Sequence, residues 1–224
     1  MLTKTNFSVD PTVLDTTVLN LPGGELPTVL NIPTGDFFYD PWVIKEECKG
    51  TIWETLLNAL PVEYGEARVL VLKPGENYQC HSDIDDRYHL NICGANSFLI
   101  SFRTTTMYPL VADGIWYTMN AGEIHSAANF GRIPRIQLVV RHLLKNNKLN
   151  NPTSVVIQPN GIDLEYARYM FDNKISNWLN EANKQGIINS FSYKAAEVKF
   201  NIEEAHLEIL KQRVPTTHFK ITCQ

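Results

Sequence analysis

The chain of 224 residues has few cysteines, no long apolar run and little net charge, and each shortage excludes a class of protein. Its four cysteines, at positions 48, 80, 93 and 223, form no Cys-x-x-Cys pair, which disfavours a disulfide framework. No stretch approaches the roughly 18 consecutive apolar residues of a membrane-spanning helix. The formal net charge of −4 is unlike that of a protein that coats phosphate backbones. We therefore expect neither nucleic acid nor a membrane as partner.

The amino terminus also lacks the apolar segment of a secretory signal, since residues 1–7 are mostly polar. A hydrophobic fraction of 44% with 20% charged residues is ordinary for a globular protein and disfavours disorder. We predict a soluble, cytoplasmic protein that consists of one large domain, or of one domain with an appendage. The sequence does not determine the oligomeric state.

Short strands separated by Gly, Pro and Asp turn signals dominate the middle of the chain. We predict strands at residues 67–73, 77–83, 87–93, 97–103, 107–111, 115–119 and 135–142. Many short strands at this spacing are typical of a β-sandwich or barrel rather than of a parallel α/β sheet. Before them, residues 1–45 read as loops and edge strands that wrap a core, and residues 46–60 predict a helix ended by Pro61.

A polar linker at residues 145–152 separates this region from a different pattern. Strands are predicted at 154–158, 191–200 and 219–222. Asp163 is the predicted cap of a helix that ends at Gly186, and Asn201 with Glu204 resembles a capping box that opens a second helix. We place a β-rich core with an N-terminal wrap in residues 1–148 and a small α/β C-terminal module in residues 149–224.

A His-x-Asp motif at the end of a predicted strand is the first candidate for chemistry. Strand side chains alternate between faces, so His81 and Asp83 project to the same side, close enough to bind one ion. With a second imidazole, from His125, they form the set of two His and one carboxylate that leaves adjacent metal positions open. Each residue also has an ordinary interpretation, since Asp83 could be a salt-bridged surface residue and His125 a hydrogen-bonded core or rim histidine. Asp85 or Asp86 could also replace Asp83 as the ligand.

An arginine follows His125 by ten positions, at the start of the apolar run 135–140. A cation buried there needs an anionic partner, because an unpaired buried charge is very costly. The guanidinium fork of Arg135 matches a carboxylate bidentately. The alternatives are a protein carboxylate as partner or an exposed strand edge, and Arg132 competes for the role from a predicted loop.

Three segments together resemble one enzyme family. Residues 67–83, ARVLVLKPGENYQCHSD, resemble the strand, Pro-Gly turn and His-x-Asp strand of the aspartyl/asparaginyl β-hydroxylases. Residues 87–92, RYHLNI, resemble that family's Arg-x-His strand, and residues 116–129 with 134–138 are similar to its distal block. The match covers about residues 65 to 142 in the right order. One departure is that Gly122-Glu123 runs almost directly into His125, where the family usually has a few more residues.

This resemblance implies a mainly β fold: a double-stranded β-helix, the jelly-roll or cupin-like core, with flanking helices. It also implies a dioxygenase that uses Fe(II), 2-oxoglutarate and O2 to hydroxylate an amino acid, or an amino-acid side chain in a peptide or protein. The alternatives are a non-catalytic β-helix protein that binds a metal or ligand, and a cupin-like metalloenzyme that does not use 2-oxoglutarate.

By resemblance, the catalytic metal ligands would be His81, Asp83 and His125. Cosubstrate binding would fall to Arg135, Arg87 and His89. For the last two residues a solvated polar strand face is an equally good interpretation, and contact with substrate rather than cosubstrate stays open.

Overall fold

The computed structural model describes residues 1–15, 28–194 and 197–224. The chain divides into two compact units, each with its own core. The first comprises Met1–Cys80 and Asp85–Leu143, and the second comprises His81–Ile84 and Leu144–Gln224. The predicted boundary between residues 148 and 149 stays a prediction.

The first unit is built mainly from strands. They are β1 (Leu2–Ser8), β2 (Thr28–Val29), β3 (Asn31–Pro33), β4 (Trp42–Ile44), β5 (Ala67–Leu72), β6 (Arg87–Cys93), β7 (Ser97–Ser101), β8 (Thr106–Pro109), β9 (Ile115–Met119), β10 (His125–Asn129) and β11 (Arg135–Arg141). A helix, α1 (Ile52–Asn58), and two 3-10 turns, Pro11–Leu14 and Glu46–Cys48, complete it. The part of the predicted N-terminal wrap at residues 16–27 lies outside the described residues.

Two antiparallel sheets define the fold of this unit. One has the strand order β1-β9-β6-β11-β5-β2, and the other has the order β10-β7-β8. A bridge between Asn77 and Ala128, with the Tyr78 N–H donating to the Ala127 carbonyl at 2.9 Å, adds the segment after β5 to the second sheet. From β5 to β11 the chain thus passes strands to the two sheets in the alternation of a double-stranded β-helix, which confirms the predicted fold class.

An apolar core covers one face of the larger sheet. Trp53, Leu56 and Leu57 of α1 are buried together with Leu90 of β6 and Leu138 of β11. Because strand side chains alternate, the opposite face carries the intervening residues of β6 and β11. Apart from Val139, the buried residues on this face are polar: Arg87, His89, Asn91, Arg135 and Gln137. A buried polar face of this kind marks the interior of the barrel as the place to look for a site.

The second unit contains an antiparallel sheet of order β13-β14-β12-β15. Its strands and helices are β12 (Pro152–Pro159), α2 (Leu164–Phe171), a π-helical turn (Asp172–Ser176), α3 (Asn177–Lys184), β13 (Ile188–Lys194), β14 (Glu197–Glu203), a 3-10 turn (Glu204–His206), α4 (Leu207–Arg213) and β15 (Phe219–Cys223). The Asp163 cap is confirmed, since its side chain accepts from the Tyr166 N–H at 2.9 Å. No helix among the described residues is both long and apolar enough to span a bilayer.

Several predicted elements are wrong in detail. The helix predicted over 46–60 is interrupted, because Gly50 has φ +69° and Thr51 begins α1 as its N-cap. The strand predicted at 191–200 is two strands, β13 and β14. Asn201 caps no helix: it pairs with Ser154 inside the sheet, because β14 continues to Glu203. The strand predicted at 77–83 is reduced to isolated bridge residues, Asn77 and His81.

A close contact between Gly94 and β11 gives a test of this packing. A Cβ at Gly94 would lie 2.9 Å from the Arg135 Cα, and Gly94 has φ +122°. We predict that Gly94→Ala lowers the free energy of unfolding by about 2 kcal/mol more than Gly75→Ala, through overpacking. Gly75 is the matched control because it also has positive φ, +80°, but nothing lies within 4 Å of its Cβ position. Urea denaturation measures both, and equal losses would contradict the packing described here.

Candidate metal centre

The structure brings the three predicted metal ligands together. The ligand atoms of His81, Asp83 and His125 all lie within 4.8 Å of one another. His125 is the first residue of β10 and is buried, whereas His81 and Asp83 are half-buried. Two imidazoles and a carboxylate fit a first-row divalent metal ion. This His-Asp-His group could therefore hold a metal.

One ring nitrogen of His125 is oriented by the main chain. Nδ1 lies 2.8 Å from the Glu123 carbonyl oxygen. A carbonyl oxygen can only accept, so Nδ1 carries a proton, and in the neutral ring Nε2 is then the nitrogen with the lone pair. Metal-bound histidines commonly donate their second ring N–H in this way. The short spacing between Gly122-Glu123 and His125, which departs from the resembling family, is thus compatible with a ligand role.

Arg135 is the most unusual charged residue of the barrel interior. Its side chain is 1% exposed, and none of its three guanidinium nitrogens has a hydrogen-bond partner among the described residues. The Tyr78 ring lies 5.3 Å from its Cζ, a cation–π contact. Burial lowers the pKa of Arg135, and Tyr78 partly offsets this. The burial of Arg135 excludes the alternative that it lies at an exposed strand edge. Arg132, which competed for the same role, is exposed.

His89 lies in the barrel interior within electrostatic reach of both His125 and Arg135. It is 6% exposed, and neither ring nitrogen has a hydrogen bond of good geometry among the described residues. Burial, followed by the influence of His125, lowers the pKa of His89 to about 3, although Gln137 acts in the opposite direction. The ring is therefore neutral at physiological pH and carries one N–H donor and one acceptor.

The buried carboxylate of Asp85 pairs with two arginines near the start of β6, Arg87 and Arg141, and the sequence analysis did not predict either pair. Asp85 is 1% exposed and forms a salt bridge with Arg87 Nη1. It also accepts two hydrogen bonds from Arg141, at 2.8 and 3.1 Å. Two cations already engage Asp85, so it is a poor replacement for Asp83 as a ligand. The predicted contact between Arg87 and a cosubstrate stays a prediction, since part of its guanidinium serves Asp85.

Sequence reasoning also missed three polar or aromatic residues of the interior. Gln137 Nε2 donates to Asn91 Oδ1 at 2.7 Å, and Asn91 Nδ2 donates to the Val111 carbonyl at 3.4 Å. Tyr78 covers Arg135, as described above. The available signal was the period-two placement of Asn91 and Gln137 on the strands that carry His89 and Arg135.

No family model matches the chain, and no curated protein matches it. Two solved structures that it resembles are cupin proteins. A cupin domain from Bordetella pertussis Tohama I has 13% identity, covering 53% of this chain and 97% of that chain, with a TM-score of 0.32. A sugar phosphate isomerase of the cupin superfamily from Silicibacter pomeroyi has 18% identity, covering 44% of this chain and 58% of that chain, with a TM-score of 0.30. The fold assignment itself rests on the strand order of this chain.

These findings define the chain as a mainly β protein of jelly-roll fold with a His-Asp-His group that could hold a metal. No comparison supports the aspartyl/asparaginyl β-hydroxylase family specifically. Membership of that family stays a prediction.

Metal affinity tests the cluster directly. We predict that the chain binds Co(II), and that His125→Ala or Asp83→Ala raises the dissociation constant more than about 100-fold, a larger loss than is usual for groups beyond the ligands. Isothermal titration calorimetry measures this. His206→Ala is the control, because His206 lies in the 3-10 turn before α4. Equal affinities for wild type, His125→Ala and the control would contradict the site.

Acid pH tests the neutral state of His89. Its folded pKa of about 3 lies below the ordinary value of 6.5, so the unfolded chain takes up the proton first. Its contribution to stability is therefore complete above about pH 6.5 and is lost as the pH falls from there towards about 3. We predict that the free energy of unfolding declines less over this range in His89→Gln than in wild type, by urea denaturation. A His89 ring resonance that titrates near pH 6.5 in NMR spectra would refute the prediction.

Proposed function

We propose that the protein is an Fe(II)- and 2-oxoglutarate-dependent dioxygenase that hydroxylates an amino acid, or an amino-acid side chain in a peptide or protein. The observation that carries this proposal is the buried Arg135 guanidinium, which makes no hydrogen bond of good geometry within residues 1–15, 28–194 and 197–224 and lies in the same barrel interior as His125. Two further features support it: the ligand set of two imidazoles and one carboxylate, and the location of His89 within electrostatic reach of both His125 and Arg135.

The donor set is compatible with iron. Two imidazoles and one carboxylate suit Fe(II) and leave neighbouring coordination positions for a chelating ligand and for O2. When bound, the iron would supply the oxygen chemistry that amino-acid side chains do not provide. The contribution of the chain is to orient the His125 ring through the Nδ1 contact with the Glu123 carbonyl, which leaves Nε2 as the nitrogen that would bind the metal.

Arg135 supplies the reason to expect a dicarboxylate. Leaving a guanidinium buried without an anion is costly, so a carboxylate of a ligand would stabilise the interior strongly. The Tyr78 ring lies against one side of the cation and restricts its orientation. 2-Oxoglutarate carries a keto acid group that could chelate the metal and a distal carboxylate that matches the guanidinium fork.

His89 lies where such a ligand would pass. It is within electrostatic reach of His125 and of Arg135, so it belongs to the region between them. Because its ring is neutral, it can donate one hydrogen bond to a carboxylate of cosubstrate or substrate without adding a charge. A separate cluster of buried apolar residues, Leu99, Leu110, Met119, Ala121 and Ala127, would help to exclude water from the barrel.

A second candidate is a cupin-like metalloenzyme that does not use 2-oxoglutarate, or a non-catalytic metal-binding protein of this fold. The Tyr78 contact favours it, because cation–π stabilisation partly compensates Arg135 within the protein itself. Both candidates bind a metal, but only the first also binds the 2-oxoglutarate dianion. For either one we propose a small-molecule or peptidyl substrate and a cytoplasmic location.

Cosubstrate binding separates the two candidates. We predict that anaerobic addition of Fe(II) and 2-oxoglutarate produces a weak visible charge-transfer band, and that Arg135→Ala raises the 2-oxoglutarate dissociation constant at least about 30-fold, through loss of a buried charge pair. Arg132→Ala is the matched control, because Arg132 is an exposed arginine three positions away. A metal-loaded protein without the band, or equal affinities in both variants, would favour the second candidate.

Turnover then identifies the substrate class. Succinate release across free amino acids, peptides and cell extract, with mass spectrometry for the gain of an oxygen atom, distinguishes small-molecule from peptidyl hydroxylation. Absence of succinate in every mixture, from a protein that shows the charge-transfer band, would argue against hydroxylation of these substrates.

A further inference from the structure

Ser82, the residue between His81 and Asp83, is held twice by one acidic residue. Its hydroxyl donates to the Asp172 backbone carbonyl at 2.9 Å. Its backbone N–H also lies close enough to the Asp172 carboxyl group to lower the pKa of that group. Ser82 is 8% exposed, so these bonds are largely protected from water. Ser82 and Asp172 belong to the same compact unit.

Asp172 stands at an irregular point of its helix. It opens the π-helical turn Asp172–Ser176 between α2 and α3. Such turns are rare and frequently occur at functional sites. Phe171 and Ile175, on either side, are 3% and 2% exposed, and the Phe171 ring stacks on Tyr193 with centroids 5.0 Å apart. The buried neighbours fix the position of Asp172.

The position of Ser82 restricts the orientation of its neighbours, His81 and Asp83. The His81–Asp83 segment lies outside the named strands, and within it only His81 makes an isolated bridge. Ser82 is covalently joined to both neighbours, and consecutive Cα atoms lie about 3.8 Å apart, so fixing Ser82 restricts where His81 and Asp83 lie. The Asp172 carboxyl group is also within electrostatic reach of both His81 and Asp83. Holding Ser82 therefore orients an imidazole and a carboxylate at once.

We propose that Asp172 is a positioning residue for the metal centre, because its carboxylate and carbonyl bracket Ser82 and thereby orient His81 and Asp83. This gives the α/β C-terminal unit a function that its sequence alone did not reveal. The inference rests on the metal site proposed above. It does not depend on which metal, cosubstrate or substrate the protein uses.

Co(II) alone is the probe, with the full chain and four variants. Asp172→Ala removes the acceptor of the Ser82 N–H, whereas Asp172→Asn keeps an acceptor oxygen. Ser82→Ala removes the other hydrogen bond independently. Glu181→Ala is the control, an acidic residue of α3 that pairs with Lys184 on the surface. Calorimetry gives the dissociation constant, and the visible Co(II) spectrum reports the ligand geometry.

We expect Asp172→Ala to weaken Co(II) binding about 10-fold or more and to alter the Co(II) spectrum, as is typical for partners that orient metal ligands. Asp172→Asn should stay within about 3-fold of wild type, and Glu181→Ala should not change either measurement. Ser82→Ala should weaken binding and perturb the spectrum to a lesser degree. A loss in Asp172→Ala no larger than in Glu181→Ala would overturn the inference.

Two further outcomes are decisive. If Asp172→Ala does not fold, Ser82→Ala decides, because a wild-type Co(II) affinity and spectrum in that variant would overturn the positioning role. If the wild-type chain binds no Co(II), the proposed metal site fails and the positioning role fails with it. A wild type that binds, together with an unaffected Asp172→Ala, refutes the positioning role alone.

Discussion

The alternation of side chains along β6 and β11 is the constraint on which the first unit depends. One face of these paired strands packs Leu90 and Leu138 against α1, and the other face turns His89 and Arg135 into the barrel. A shift of one residue in this pairing would bury the polar set in the apolar core, at a prohibitive cost in desolvation. The apolar core and the polar interior therefore specify the same register.

Arg87 on β6 and Arg135 on β11 differ in whether the protein supplies a carboxylate partner. Arg87, with Arg141, shares the buried carboxylate of Asp85, so this part of the polar interior is neutralised within the protein. Arg135 makes no hydrogen bond of good geometry among the described residues, and the Tyr78 ring lies 5.3 Å from its Cζ. An isolated buried charge is destabilising, so this asymmetry is the reason to propose an anionic ligand for Arg135 and not for Arg87. The proposal of a dicarboxylate cosubstrate rests on that contrast.

Turn signals and strand spacing predicted the fold class, because both are visible in one dimension. The proximity of His81, Asp83 and His125 was also predicted, although the strand expected to carry His81 and Asp83 does not form. Strand β10 was missed, since its sequence HSAAN has little intrinsic strand preference and only pairing with β7 makes it extended. The division of residues 46–58 at Gly50 depends on one backbone conformation. No local sequence pattern indicates the contact between Asp172 and Ser82, because the two residues are 90 positions apart along the chain.

The contact between His125 and the Glu123 carbonyl has an evolutionary consequence. Every amino acid contributes a backbone carbonyl, so substitution at position 123 does not by itself remove the group that selects the imidazole tautomer. Had a carboxylate side chain done this work, a single codon change could have abolished it. The orientation of the imidazole therefore does not depend on which side chain stands at position 123.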